Sequence, residues 1–139
     1  MSSNVPAMKY LKGYKYQLYE DFLIQLGFDV PTEVDTQFIA LSVTGLLQIK
    51  RGYAWDGLSG GALDTTSGMT ASLVHDALYQ CVRMKLVPAK FRRQIDDEFY
   101  RICIEKGMWK VRAWWMYRAV RRLGEPFATM APKDPIVAP

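Results

Sequence analysis

Gly68-Met-Thr-Ala-Ser-Leu-Val-His-Asp-Ala-Leu-Tyr-Gln-Cys-Val-Arg-Met84 is the stretch that sets the fold. Leu73, Val74, Ala77, Leu78, Cys81 and Val82 recur in it at intervals of three and four, the signature of a helix with one apolar face. The spacing predicts a helix over 68–84. Pro88 then suits the first turn of a second helix. Phe91, Ile95, Phe99, Ile102 and Cys103 form its apolar stripe, and Gly107 ends it. A short turn between the two predicts an antiparallel helix hairpin. A third helix is expected with Trp109, Ala113, Met116, Tyr117 and Val120 facing inward and Gly124 as its stop.

Towards the N-terminus the period changes. Tyr14 to Tyr19 alternates, Glu20-Asp21 reads as a turn, and Phe22 to Leu26 reads as a second strand. Pro31 to Asp35 is polar and reads as a loop. Phe38 to Val43 and Leu46 to Lys50 flank Thr44-Gly45, the pattern of a tight hairpin. Gly52 to Gly61 holds four glycines in ten residues, a loop with wide backbone freedom. The expectation is an α+β fold: a small antiparallel sheet, a glycine-rich loop, then three helices. It divides into an N-terminal segment 1–13, one domain 14–124, and an extended arm 125–139 that carries four prolines.

Composition bounds the function. Half of the 139 residues are hydrophobic, enough for one core and too many for a disordered chain. No run is long and apolar enough to cross a membrane. Met1 to Pro6 lacks the basic-then-apolar order of a secretory signal. Cys81 and Cys103 make neither a disulfide framework nor a zinc pattern, and suit a reducing compartment. Charge is uneven. From Arg83 to Arg122 there are twelve Lys and Arg against four Asp and Glu, whereas the first 82 residues carry five against eight. The basic half reads either as a solvated helix face or as a surface for phosphate groups.

His75 is the sole histidine, so any imidazole chemistry happens there. In an antiparallel hairpin, facing residues have a constant sum of numbers. Setting His75 opposite Asp96 places Leu78 near Ile95 and Ala71 near Ile102, both apolar pairs. The same register keeps Cys81 and Cys103 several turns apart, too far to bridge. A carboxylate on one ring nitrogen fixes the tautomer and makes the other nitrogen a better base, able to take a proton from water. Tyr79 lies on the same helix face, four residues on. Asp76 can offer oxygen to a hard cation, with backbone carbonyls of the glycine-rich loop as further ligands. Such an ion would stabilise an oxyanion. The alternative is a satisfied structural pair.

Two resemblances bear on this. The ordered segments Ile49 to Ser59, Leu73-Val-His-Asp-Ala-Leu-Tyr79, Arg93 to Phe99 and Met116-Tyr-Arg-Ala-Val120 resemble a family of short phage and prophage proteins of uncharacterised function. The match spans about Tyr14 to Gly124. It implies a protein of the host cytoplasm during infection, or of the virion. The same set is similar, more distantly, to secreted phospholipase A2 and to the phospholipase domain of parvovirus capsids. That likeness implies a phospholipase A2-like core, with His75 as the base, Asp96 orienting it and Tyr79 bonded to Asp96. It also implies a calcium site from Asp76 and loop carbonyls near Trp55, Gly57 and Ser59, with Asp56 as an extra carboxylate. The chain departs from the secreted enzymes at Leu78 and Ile95, where they carry cysteines, and at Ser59, where a glycine is usual.

Three functions remain. The first is calcium-assisted hydrolysis of a lipid ester at a phospholipid or membrane surface, which Trp109, Trp114 and Trp115 among basic residues would suit. The second is a non-enzymatic virion or assembly protein that keeps the fold and docks on other phage proteins, or on itself, through the C-terminal arm. The third is nucleic-acid binding by Lys110, Arg112, Arg118, Arg121 and Arg122; no known nucleic-acid motif accompanies them, so nucleic acid is not the expected partner.

Overall fold

Alternating runs in the first half form short strands, and the three-and-four periodicity of the second half forms helices, giving an α+β architecture. The computed structural model describes residues 5–6, 10–11, 16–55 and 66–129. The strands make two antiparallel sheets rather than one. In the first, β1 (Tyr10–Leu11), β2 (Tyr16–Leu18) and β7 (Ala54–Trp55) lie in the order β1-β2-β7. The second holds β3 (Phe22–Gln25), β4 (Val34–Asp35), β5 (Ile39–Leu41) and β6 (Leu46–Ile49) in the order β3-β6-β5-β4.

Register in the second sheet follows the apolar alternation. Phe22, Ile49 and Ile39 align across three strands, and Ile24, Leu47, Leu41 and Val34 across four. All seven are buried, while Leu23 and Gln25, on the other face of β3, are exposed. A slip of one residue would turn this whole set outward, so the pattern fixes the pairing. Val34–Asp35 was expected in a loop. It pairs with β5 because Val34 completes the buried row opposite Leu41.

Helix α1 (Thr66–Arg83) buries its apolar stripe from Leu73 to Val82. Pro88 precedes a single 3-10 turn, Ala89–Phe91, which leads into α2 (Arg92–Glu105). Gly107 stops α2 with φ at +94°, a backbone angle that favours glycine. Leu73, Leu78, Ile95, Phe99, Ile102 and Cys103 are sealed from solvent; full burial of a side chain of Leu, Ile or Phe type contributes roughly 1.5–3 kcal/mol.

Helix α3 (Lys110–Thr129) corrects the sequence reading twice. It runs through Gly124 and Pro126 to Thr129, so residues 125–129 belong to the helix and not to an extended arm. A proline removes one backbone donor, and here that loss falls in the last turn. Residues 130–139 lie outside the described residues. The second correction is Trp109. It precedes the first helical residue and is 84% exposed, whereas Ala113 and Val120 are buried as expected. No described helix is long and apolar enough to cross a membrane.

Candidate active site at the helix hairpin

Two rungs tie α1 to the strand before it. Tyr53 and Trp55 are two apart on an extended chain and point the same way; Ser72 and Asp76 are four apart and share a helix face. Trp55 Nε1 donates to Ser72 Oγ at 3.1 Å, and the Tyr53 hydroxyl donates to Asp76 Oδ2. Ser72 passes its own proton to Met69 O at 2.9 Å. These rungs set the rotation of α1 and so the direction in which His75 leaves it.

Helix α2 is placed from the other sheet. Gly27 N donates to Glu98 Oε2 at 2.8 Å, just past the end of β3, and Arg101 holds the other Glu98 oxygen at 2.6 Å. With both helices anchored, His75 on α1 meets Asp96 on α2. His75 Nε2 lies 2.7 Å from Asp96 Oδ1. A carboxylate can only accept, so Nε2 carries the proton and Nδ1 the lone pair. Tyr79 OH donates to the same Oδ1 at 2.7 Å. The imidazole stacks on the Tyr79 ring at 4.2 Å between centroids and meets the edge of Phe99 at 5.4 Å.

The ring is 6% exposed. Among the described side-chain atoms cut off from solvent, Arg83 Nε alone lacks a hydrogen-bond partner. Nδ1 of His75 has no partner among the described residues. Its lone pair is therefore committed to no described residue.

Two further residues, absent from the sequence reading of the site, hold Asp96. Arg121 on α3 donates through Nη1 to Asp96 Oδ2 at 2.9 Å, and Arg92, one turn before Asp96 on α2, lies 3.7 Å from that oxygen. Asp96 is wholly buried. A carboxylate there is tolerable only with charge and hydrogen-bond partners, and it has them from three helices. The Arg92 signal was present in the sequence as a cation four residues before an acid.

Burial and the adjacent carboxylates act on the phenols. Tyr53 is pushed well above its ordinary range by burial first and by Asp76 second. Tyr79 is raised by burial and by its bond to Asp96. Both therefore remain protonated donors over the working pH range.

Of the residues expected to hold a cation, Asp76 and Trp55 are among the described ones. Asp76 is half-buried and oriented by Tyr53. Trp55, whose backbone carbonyl was expected near the ion, has its side chain buried with the indole N–H bonded to Ser72. Asp56, Gly57 and Ser59 lie outside the described residues. Among the described residues no group of three or more His, Cys, Asp or Glu gathers to hold a metal. Calcium takes six to eight oxygens, and of the expected carboxylate ligands only Asp76 lies among the described residues.

A family model described as "Protein of unknown function (DUF1353)" matches residues 61–120. The matched segment carries His75, Asp76, Tyr79, Arg92 and Asp96 and stops one residue before Arg121. Comparison with curated proteins and with solved structures returned no match.

Proposed function

We propose that this chain is a lipid-ester hydrolase in which His75 activates water through Nδ1 while Asp96 holds Nε2–H. The observation that carries the reading is a buried imidazole with one nitrogen 2.7 Å from a buried carboxylate on the neighbouring helix and the other bonded to no described residue. Water gives its proton to Nδ1 as its oxygen bonds to the ester carbonyl carbon. The imidazolium then returns that proton to the departing alcohol as the C–O bond breaks, leaving a carboxylic acid. Asp96 accepts throughout, fixing the tautomer and balancing the transient positive charge. The Tyr79 and Phe99 rings hold the imidazole plane. Calcium is assigned to Asp76 together with residues 56, 57 and 59, where its chemistry would be oxyanion stabilisation.

Fatty-acid release from a panel of phospholipids, in calcium and in chelator, tests the reading. His75→Gln is expected to lose about 10²–10⁴-fold in rate. Asp76→Asn is expected to remove only the calcium-dependent part. Wild type and His75→Gln equally inert across the panel would overturn it.

One observation favours a second reading, a non-enzymatic virion or assembly protein. Asp96 also receives Arg121 and Arg92, so the same network clamps three helices. On that reading His75→Gln lowers stability and nothing else. The part of the arm that would dock, residues 130–139, lies outside the described residues.

A further inference from the structure

The outward face of α3 is unlike the rest of the surface. Val111, Trp115, Arg118 and Arg122 follow at intervals of four, three and four and so form one stripe along the helix. All four are exposed, Trp115 by 63%. Trp109 stands at the head of the stripe, and Trp114 at its side with the Arg118 guanidinium 5.1 Å over its ring. From Lys110 to Arg122 the helix carries five cations and no acid. The apolar half thus lies at the helix start, and the cationic half follows it.

We infer that this face docks α3 flat on an anionic phospholipid bilayer. Indole rings carry an apolar body and one polar N–H, which suits the boundary between headgroups and chains. Exposed arginines add attraction to anionic lipid. The helix is too polar to span, so it lies in the interface plane. A second copy of the chain is a poor occupant, because two such faces would bring like charges together. A nucleic acid would use the cations and could stack bases on the indoles, but it leaves the exposed aliphatic Val111 without a role. The inference rests on the lipid-ester reading for its purpose, since the same helix carries Arg121, whose guanidinium holds Asp96 on the inner side. Docking would therefore hold the hydrolytic site within one helix diameter, roughly 10–12 Å, of the bilayer surface.

Full-length His75→Gln protein is mixed with vesicles of phosphatidylcholine alone and of phosphatidylcholine with phosphatidylglycerol. Co-sedimentation and tryptophan emission are read. Trp55 is buried and supplies a constant background. The expected result is binding to the anionic vesicles with a blue shift of the exposed indoles. Trp109→Ala with Trp115→Ala loses both the shift and the binding. Arg118→Gln and Arg122→Gln each weaken binding roughly fivefold. These side chains face solvent, and unchanged circular dichroism melts check that folding is intact. Equal binding to neutral vesicles overturns the electrostatic part. Binding to a single-stranded oligonucleotide with none to vesicles, or no binding at all, overturns the inference. Hydrolysis of a dispersed short-chain phospholipid by wild type is measured separately. Cleavage there without vesicle binding sinks the docking and leaves the hydrolase; vesicle binding without cleavage does the reverse.

Discussion

The buried Asp96 carboxylate joins three helices. Its Oδ1 accepts from His75 and Tyr79, and its Oδ2 from Arg121. Removing the carboxylate leaves two guanidinium groups and a phenol without their partner in a buried site. Asp96→Ala is therefore expected to destabilise by about 3 kcal/mol or more, read by urea unfolding. An unchanged midpoint would mean that water replaces the carboxylate. A finer prediction concerns the proton on the ring. The chain has one histidine, so nitrogen-15 NMR of the imidazole reports one residue without assignment. The Nε2–H tautomer is expected in the wild type, and an Nδ1–H tautomer would leave Nε2 unable to donate to Asp96 Oδ1. His75, Tyr79 and Asp96 were legible in the sequence because helix spacing and the antiparallel register converge on them. Arg121 was not, because a cation on a basic helix reads as surface charge. Only the packing of α3 against α2 shows that it turns inward, beside Tyr117, which was expected on that face and reaches Asp97 at 2.7 Å.

At the level of elements, two glycines share a backbone angle and differ in their surroundings. Gly45, in the turn between β5 and β6, has φ at +93°, and a Cβ there would sit 2.4 Å from Phe28 O. Gly107, after α2, has φ at +94°, with nothing within 4 Å of a Cβ. Both alanine variants incur the strain of a positive φ, roughly 1–2 kcal/mol. Gly45→Ala must also push the backbone at the Phe28 bend aside, so it is expected to melt well below Gly107→Ala. Equal melting temperatures would show that the turn yields freely. The helices were legible because their apolar period runs for several turns. Strand β4 was not, since two residues next to Pro31 carry no period, and its pairing is set by Leu41 across the sheet. The end of α3 was misplaced because Gly124 and Pro126 are strong local stops that a continuing helix overrode. Trp109 was misplaced because hydrophobic character was taken for burial in a turn, where helical spacing does not apply.

Across the whole molecule, burial ties the protonated state of four groups to folding, and this makes alkaline pH the direction of weakness. Cys81 and Cys103 are free and buried, and burial pushes each thiol up to about 12. Tyr53 and Tyr79 are displaced upward as well. Once the chain unfolds, a thiol releases its proton near pH 9, while the folded thiol keeps it until about 12. Between those values the unfolded state binds fewer protons than the folded one, so stability falls as pH rises. The slope approaches about 1.4 kcal/mol per pH unit for each thiol. Stability from these groups is thus complete below pH 9 and drains away as pH climbs towards 12; the phenols add to the loss above their ordinary range. Urea unfolding from neutral pH upward is expected to show a decline that steepens past pH 9, and Cys81→Ala with Cys103→Ala is expected to flatten it at some cost in packing. The native protein should also resist thiol reagents until it unfolds, since both sulfurs are protonated and covered. A flat profile, or fast labelling of the folded chain at neutral pH, would mean that the hairpin core opens to water far more readily than its burial implies.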